Sequence, residues 1–378
     1  MKIIIIITGL KRGGAETILF ELLKILKYSS LNLHVISLTG KGVVYDDIIE
    51  LGVPVSVVGG KRGSFSILSF FRLLSLLREI KPDIVHTWMY HADLFGGLAA
   101  KAAGINKIIW SIHNTNLDKD KTKIVTRMIV RMCIVVSSWV PSDILSCSKK
   151  SSQEHIRIGY PKRKMVIIPN GFDTSRYRPT KEFRKTLLNE ISAQEDIFLI
   201  GHMGRYDPVK NHIGFIRAAS ILHKKIPKTR FILAGDGVDG NNKELNALIN
   251  SLGISKMVHM LGYRSDTSRI IPSLDILVSS SHGEAFPLVV GEAMSCEVSC
   301  VVTDVGDSSY LVGNTGKVVR PNNIHELSGA IESLLQMKVK DRQYLGKIAR
   351  RRIIENFDIR IVAKQYKVFY ENVVSKGI

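Results

Sequence analysis

The stretch Ile276-Leu277-Val278-Ser279-Ser280-Ser281-His282-Gly283-Glu284-Ala285-Phe286-Pro287-Leu288-Val289-Val290-Gly291-Glu292-Ala293-Met294 reads as strand, loop and helix. Its apolar opening suits a buried strand, and Pro287 suits a first helical turn, where a missing N–H costs nothing. Glu284 then lies in the loop above the strand end. Glu292 follows about one and a half turns into the helix, at ~3.6 residues per turn. Free backbone N–H groups lie between the two carboxylates. A helix N-terminus attracts phosphate and carboxylates accept hydrogen bonds from hydroxyls, so the arrangement suits a nucleotide diphosphate carrying a sugar. The plain alternative for the pair is two solvated surface glutamates.

Outward from this unit the same alternation repeats. Strands are predicted over residues 3–7, 33–37, 55–58, 84–87 and 107–112, with helices over 16–27, 65–80 and 93–103. A second series of strands covers 198–202, 230–234, 258–261, 276–279 and 299–303. Alternating short strands and longer helices argue for parallel βαβ units covered on both faces. The fold class is therefore α/β, two doubly wound Rossmann-like domains facing an interdomain cleft, with ligands at the carboxyl ends of the strands. The polar stretch 174–189 predicts the linker. The expected division is 1–178 for the first domain, 179–358 for the second, and 359–378 as a closing helix that crosses back to the first.

Composition fits a two-domain globular chain. Its 378 residues are 45% hydrophobic with few prolines, enough for two cores. The apolar run at the N-terminus stops at Thr8-Gly9, too short for a signal peptide, and no stretch reaches the ~18 apolar residues of a membrane span. The expected location is cytoplasmic, peripheral at most on the inner face of the membrane. Cys133, Cys147, Cys296 and Cys300 show no CxxC pair and read as reduced core residues. The net charge is +19, and residues 1–180 carry 26 Lys and Arg against 13 Asp and Glu, while 181–378 carry 27 against 21. A basic surface meets nucleic acid, anionic lipid or acidic small molecules alike. The absence of interleaved aromatic and basic RNA motifs and of a helix-turn-helix pattern weighs against nucleic acid.

Several motifs follow strands. Gly204-Arg205-Tyr206-Asp207-Pro208-Val209-Lys210-Asn211-His212 opens the second half, and Arg205 and Lys210 can both grip one diphosphate. Thr8-Gly9-Leu10-Lys11-Arg12-Gly13-Gly14-Ala15-Glu16 places a glycine turn before the first helix, without the GxGxxG spacing of dinucleotide sites. His86, His91 and His113 lie near strand ends, and no pair has metal-ligand spacing. Asp118-Lys119-Asp120 fits a DxD metal motif only formally, in a lysine-rich run with no strand before it. The run from Lys121 to Met132 and the helix over 65–78 set cations beside apolar faces, which suits either an anionic membrane surface or the cover of a sheet.

These motifs together resemble the retaining glycosyltransferases of family 4, which have the GT-B fold, over nearly the whole chain. The resemblance implies that Glu284 contacts donor-sugar hydroxyls, that Glu292 holds the ribose, and that Arg205 and Lys210 neutralise the leaving diphosphate. It implies a donor site completed by Gly13, Gly14, Arg264, Phe286, Pro287, Leu288 and Val289, with the backbone of 262–264 at the base. Ser111-Ile112-His113-Asn114 matches the segment whose His approaches the reaction centre, and His86, His91 and Asp93 match the acceptor side. The implied activity moves a sugar, from a UDP-hexose or UDP-N-acetylhexosamine, to a saccharide or polyprenyl-diphosphate-linked acceptor in surface polysaccharide synthesis. The implied mechanism is a same-face displacement with no cofactor and no metal. Where many relatives carry Gly-x-Pro after the second glutamate's helix, this chain has Glu297-Val298-Ser299, and Tyr310 stands where many carry an acid. Two rivals stay open: a sugar-nucleotide epimerase of similar fold, and a non-catalytic nucleotide- or nucleic-acid-binding protein.

Overall fold

A computed structural model of the chain describes residues 1–11, 13–59, 66–114, 124–180 and 182–375. It divides into two units, Met1–Gly171 with Ile359–Ile378, and Phe172–Asp358. The first unit therefore ends at 171 rather than the expected 178. Phe172 already belongs to the second unit, its N–H donating to the Phe357 carbonyl at 2.8 Å, and Thr174 bonds the buried Asp358 at 2.5 Å. The polar stretch expected as a linker is partly ordered into a helix, because Arg184 is held by Asp275 at 3.0 Å and by the Ser273 and Ile197 carbonyls.

The first unit runs β1 (Lys2–Ile7), α1 (Gly14–Leu26), β2 (Asn32–Ser37), α2 (Val43–Glu50), β3 (Val55–Val57), α3 (Ile67–Ile80), β4 (Ile84–Trp88), α4 (Tyr90–Ala102), β5 (Ile108–Ile112), α5 (Ile124–Val136), β6 (Asp143–Ser146), α6 (Lys149–Arg157) and β7 (Met165–Ile167). Its seven strands are all parallel, in the order β3-β2-β1-β4-β5-β6-β7. The isoleucines from Ile3 to Ile7 are completely buried, as a parallel strand covered on both faces requires. The chain's last helix closes this unit: Tyr370 donates to or accepts from His86 Nδ1 at 2.9 Å, and Lys107 bonds the Val374 carbonyl.

The second unit contains α7 (Arg184–Glu190), β8 (Phe198–Met203), α8 (His212–Lys225), β9 (Thr229–Ala234), α9 (Lys243–Ser251), β10 (Val258–Met260), α10 (Thr267–Ile270), β11 (Ile276–Ser279), α11 (Leu288–Ser295), β12 (Ser299–Thr303), α12 (Ser308–Val312), β13 (Lys317–Val319), α13 (Ile324–Leu335) and α14 (Val339–Asn356). The closing helix of the first unit is α15 (Ile359–Ser375). Six parallel strands lie in the order β10-β9-β8-β11-β12-β13. In both sheets strand order reverses once, between β1 and β4 and between β8 and β11. Within each sheet, the loops at the carboxyl ends of the two strands beside the reversal flank the kind of crevice where a doubly wound sheet binds ligands.

Candidate active site

In the second unit the two loops beside the reversal are joined. Lys210 Nζ lies 2.6 Å from Glu284 Oε1, and Ser281 Oγ donates to the same oxygen at 2.7 Å. The His282 N–H donates to the Val209 carbonyl at 2.7 Å, tying loop to loop through backbone as well. Asp207 organises the turn: Oδ1 accepts from the Val209 N–H at 3.0 Å, while Oδ2 takes Arg205 at 3.1 Å. Partial burial opposes its charge, but the Val209 amide, Arg205 and Lys210 outweigh that and hold its carboxyl below the usual range. Asn211 turns left-handed at φ +53° and caps α8 through the Gly214 N–H.

Glycines make this close approach feasible. At Gly306, φ is +53° and an added Cβ would run into the Glu284 carbonyl. At Gly235 one would run into the Gly204 carbonyl. Pro287 is not in the first helical turn as expected but one residue before it, at the N-cap, because its ψ of 109° is extended. It offers no side-chain acceptor, so the opening amides at Leu288 and Val289 are left for another acceptor. Phe286 is buried and stacked on Phe172, ring centroids 6.1 Å apart.

Glu292 sits half-buried on α11 beside Tyr177. Burial, then Glu292, push the Tyr177 hydroxyl up, and Tyr177 also bonds Thr267 at 3.0 Å. Arg264 stands apart from the joined loops in its bonding. Its guanidinium is engaged by Glu190 at 2.5 Å and by Asp266 at 2.8 Å.

In the first unit Gly13 is the N-cap of α1 in extended backbone, where a Cβ would stand 2.6 Å from Glu16 Oε2, and Gly14 begins the helix. The turn from β4 into α4 passes through Met89 at φ +73°, a conformation that costs a non-glycine residue about 1–3 kcal/mol. It is held by Met89 N–H to the Ser111 carbonyl and Asp93 N–H to the Met89 carbonyl. His113 follows β5, stacked on Trp88 with centroids 4.3 Å apart. Burial pulls its pKa down to about 3, and its Nε2 has no hydrogen-bond partner among the described residues.

The three residues expected on the acceptor side differ in exposure. His86 and Asp93 are completely buried, so neither side chain reaches a surface. Burial raises the Asp93 carboxyl well above its usual range, against the Thr87 and Ser111 hydrogen bonds. His91 is partly exposed on the first turn of α4. Among the described residues no three His, Cys, Asp or Glu side chains converge as a metal site would need. Asp118-Lys119-Asp120 lies outside the described residues, as do Lys121 to Lys123 and the predicted start of α3 at residue 65.

Sequence reasoning assigned Ser281 and Tyr177 no part in the site, and took the Gly235 and Gly306 loops at their strand ends as structural rather than catalytic. The available signal was positional: Gly235 follows β9 directly and Gly306 comes three residues after β12, where backbone crowds the crevice.

Comparison with known proteins places the chain. The family described as Glycosyltransferase Family 4 matches residues 12–176, and the one described as Glycosyl transferases group 1 matches residues 183–352. An Escherichia coli UDP-Gal:alpha-D-GlcNAc-diphosphoundecaprenol alpha-1,3-galactosyltransferase is 27% identical, over 82% of this chain and 80% of that one. A Campylobacter jejuni N,N'-diacetylbacillosaminyl-diphospho-undecaprenol alpha-1,3-N-acetylgalactosaminyltransferase is 25% identical over 86% and 87%. Among solved structures, Anabaena Alr3699/HepE in complex with UDP shares the fold with a TM-score of 0.87 at 22% identity, covering 98% of this chain and 100% of that one.

Proposed function

The chain belongs to the glycosyltransferases, its first half to family 4 and its second to group 1, on the GT-B fold, and from that premise we propose a retaining, metal-independent transfer from a UDP-sugar to a lipid-diphosphate-linked saccharide. The observation that carries this reading is the junction of Lys210 with Glu284, which puts a cation for phosphate beside a carboxylate for a sugar hydroxyl. The UDP donor is supported by what the E. coli relative acts on, and the polyprenyl-diphosphate acceptor by what the E. coli and C. jejuni relatives act on.

In the proposed reaction the bond between the anomeric carbon and the diphosphate oxygen breaks, and the acceptor hydroxyl oxygen attacks the same face. The departing diphosphate takes the hydroxyl proton, so UDP leaves and configuration is kept. Arg205, Lys210 and the α11 amides at Leu288 and Val289 meet the charge that develops on the leaving group, usually the largest catalytic term. Glu284 orients the sugar and Glu292 the ribose. Phe286 and Pro287 shape the loop between them. In the first unit His113, neutral near pH 7, is assigned to the donor sugar, and the Gly13-Gly14 turn to the donor phosphates. Holding His91 on the acceptor side follows the family resemblance alone.

The acceptor's lipid gives the first unit a surface to meet. Ile124, Val125, Met128, Met132 and Val135 share the outer side of α5, while Ile129, Val130 and Cys133 are buried on the other. Arg127 and Arg131 edge that outer stripe, and α5 carries no acid. The first unit has 28 Lys and Arg against 13 Asp and Glu, the second 25 against 21. An apolar stripe edged by cations suits an anionic bilayer. No helix of the described residues is long and apolar enough to cross one.

The test is nucleotide release from UDP-, GDP- and ADP-sugars, with and without a polyprenyl-diphosphate saccharide, comparing wild type with Glu292→Ala. Acceptor-dependent release of UDP from one donor, lost in the variant and unchanged by a chelator, is the expected result. NMR of the product should show the donor's anomeric configuration. Isomerised UDP-sugar without transfer would favour an epimerase, and silence with no donor bound by calorimetry would favour a binding protein.

A further inference from the structure

Two buried imidazoles of the second unit have no role in the chemistry above, yet they hold both ends of the loop that carries its cations. His202 on β8 and His212 at the start of α8 are 2% and 1% exposed. His212 Nε2 lies 3.1 Å from the Gly204 carbonyl, and His202 Nε2 lies 3.2 Å from the Lys210 carbonyl and 3.1 Å from Ser280 Oγ. A carbonyl only accepts, so His212 carries its proton on Nε2. The Ser280 hydroxyl is itself within reach of the Lys210 and Asn211 carbonyls, at 3.2 and 3.0 Å. It can spend its one proton there, which leaves His202 Nε2 as the donor to this cluster.

Gly204 and Lys210 bracket the segment bearing Arg205 and Lys210. Its middle is held by other means, through Tyr206 N–H to the Asp236 carbonyl and Val209 carbonyl to the His282 N–H. The two ring centroids are 4.5 Å apart, so the ends of the loop are braced from one compact pair. Burial pulls both pKa values down, His212 to about 4, which keeps the pair as neutral donors near pH 7. An apolar residue at 212 would leave the part-buried Gly204 carbonyl without this donor, and one at 202 would leave the Lys210 carbonyl to the Ser280 hydroxyl alone.

We propose that His202 and His212 are positioning residues for the transfer, fixing the separation of Arg205 and Lys210 so that both cations reach one diphosphate. The proposal rests on the transferase reading, and its test separates the two. Hydrogen exchange of the 204–211 segment and titration with UDP alone are compared for wild type, His212→Ala, His212→Gln and His202→Gln. The His212→Ala variant should exchange about tenfold faster in that segment, bind UDP about tenfold more weakly, and raise the donor KM while leaving the acceptor KM unchanged. His212→Gln, whose side-chain amide can donate to the same carbonyl, should recover most of each change. His202→Gln should stay near wild type for the same reason. Unchanged exchange in His212→Ala, or a glutamine variant no better than alanine, would overturn the proposal. If wild type itself bound no UDP, the transferase reading would fall and with it the positioning role, whereas the exchange data would still report on the brace.

Discussion

Lys210 and Glu284 form one ion pair, 2.6 Å long, that bridges the loops after β8 and β11, with side chains 28% and 11% exposed. Shielding of that degree removes it from the class of surface pairs that contribute almost nothing. Removing one partner would strand the other charge in a partly dry site.

Lys210→Ala should therefore lose both activity and stability, whereas Arg205→Ala should lose activity alone. Arg205 is 65% exposed and paired with Asp207 within its own turn. Each variant should lower kcat by about 100-fold or more, the scale of losing one charge-stabilising group, because the contact strengthens as the diphosphate departs. Steady-state kinetics alongside thermal unfolding separate the two. Unchanged turnover in folded Arg205→Ala would remove it from the mechanism.

Gly306→Ala should disable the site without touching a charged group. The φ of +53° already disfavours alanine, and the new Cβ would meet the Glu284 carbonyl. The loop has to shift, and Glu284 with it. A destabilisation of about 2 kcal/mol or more is expected, with transfer falling further than stability does. A variant with wild-type kcat would show that Glu284 need not sit where it does.

Glu297→Gly should do the opposite. Glu297 ends the α11 segment at φ +62°, the left-handed conformation that costs a side-chain-bearing residue about 1–2 kcal/mol. Glycine's looser unfolded chain returns part of that gain, so a net stabilisation of up to about 1 kcal/mol should appear in urea unfolding. Activity should not change. A lower midpoint would mean that the Glu297 side chain contributes more than its backbone costs.

How much of this was legible depends on what kind of signal each element leaves. The strand-loop-helix from Ile276 to Met294 and the run Ile3 to Ile7 could be read because burial on both faces demands unbroken apolar residues. By contrast β7 (Met165–Ile167) and β13 (Lys317–Val319) are three-residue edge strands, half exposed, and strands this short are read unevenly, since β3 and β10 of the same length were predicted and these two were not. Glu284 and Lys210 were named as separate contacts, but their pairing was invisible because sequence does not say which strands are neighbours. The burial of His86 and Asp93 was hidden for a related reason: a strand end and a helix start look alike whether they face solvent or the core. Met89's strained turn carries no glycine or proline to announce it.

Stability should fall as pH drops from 7 toward 5. Burial lowers the pKa of His86 and His113 to about 3, of His155 and His212 to about 4, and of His202 as well. In the unfolded chain each returns to about 6.5. Below that value the unfolded state binds more protons than the native one, so the contribution of these groups is complete above about pH 6.5 and is lost on acidification. Asp93, raised by burial, acts with opposite sign, but one carboxyl does not offset five imidazoles. Thermal midpoints between pH 7 and 5 decide it, and a flat or rising midpoint toward acid would mean that these histidines are not held neutral.

The outer stripe of α5 offers the last expectation. Met128 and Val135 are 58% and 72% exposed, so glutamate at both positions should leave the fold intact while placing charge where acyl chains would lie. Wild type should sediment with phosphatidylglycerol vesicles, and less well as salt is raised, since the cations at the edge act within a Debye length of about 10 Å at 0.1 M. The double variant Met128→Glu, Val135→Glu should stay in the supernatant while still releasing UDP with a water-soluble acceptor. Equal sedimentation of both proteins would move the docking site elsewhere. Loss of a wild-type dimer in the variant, with no vesicle binding by either, would assign the stripe to a second copy of the chain instead.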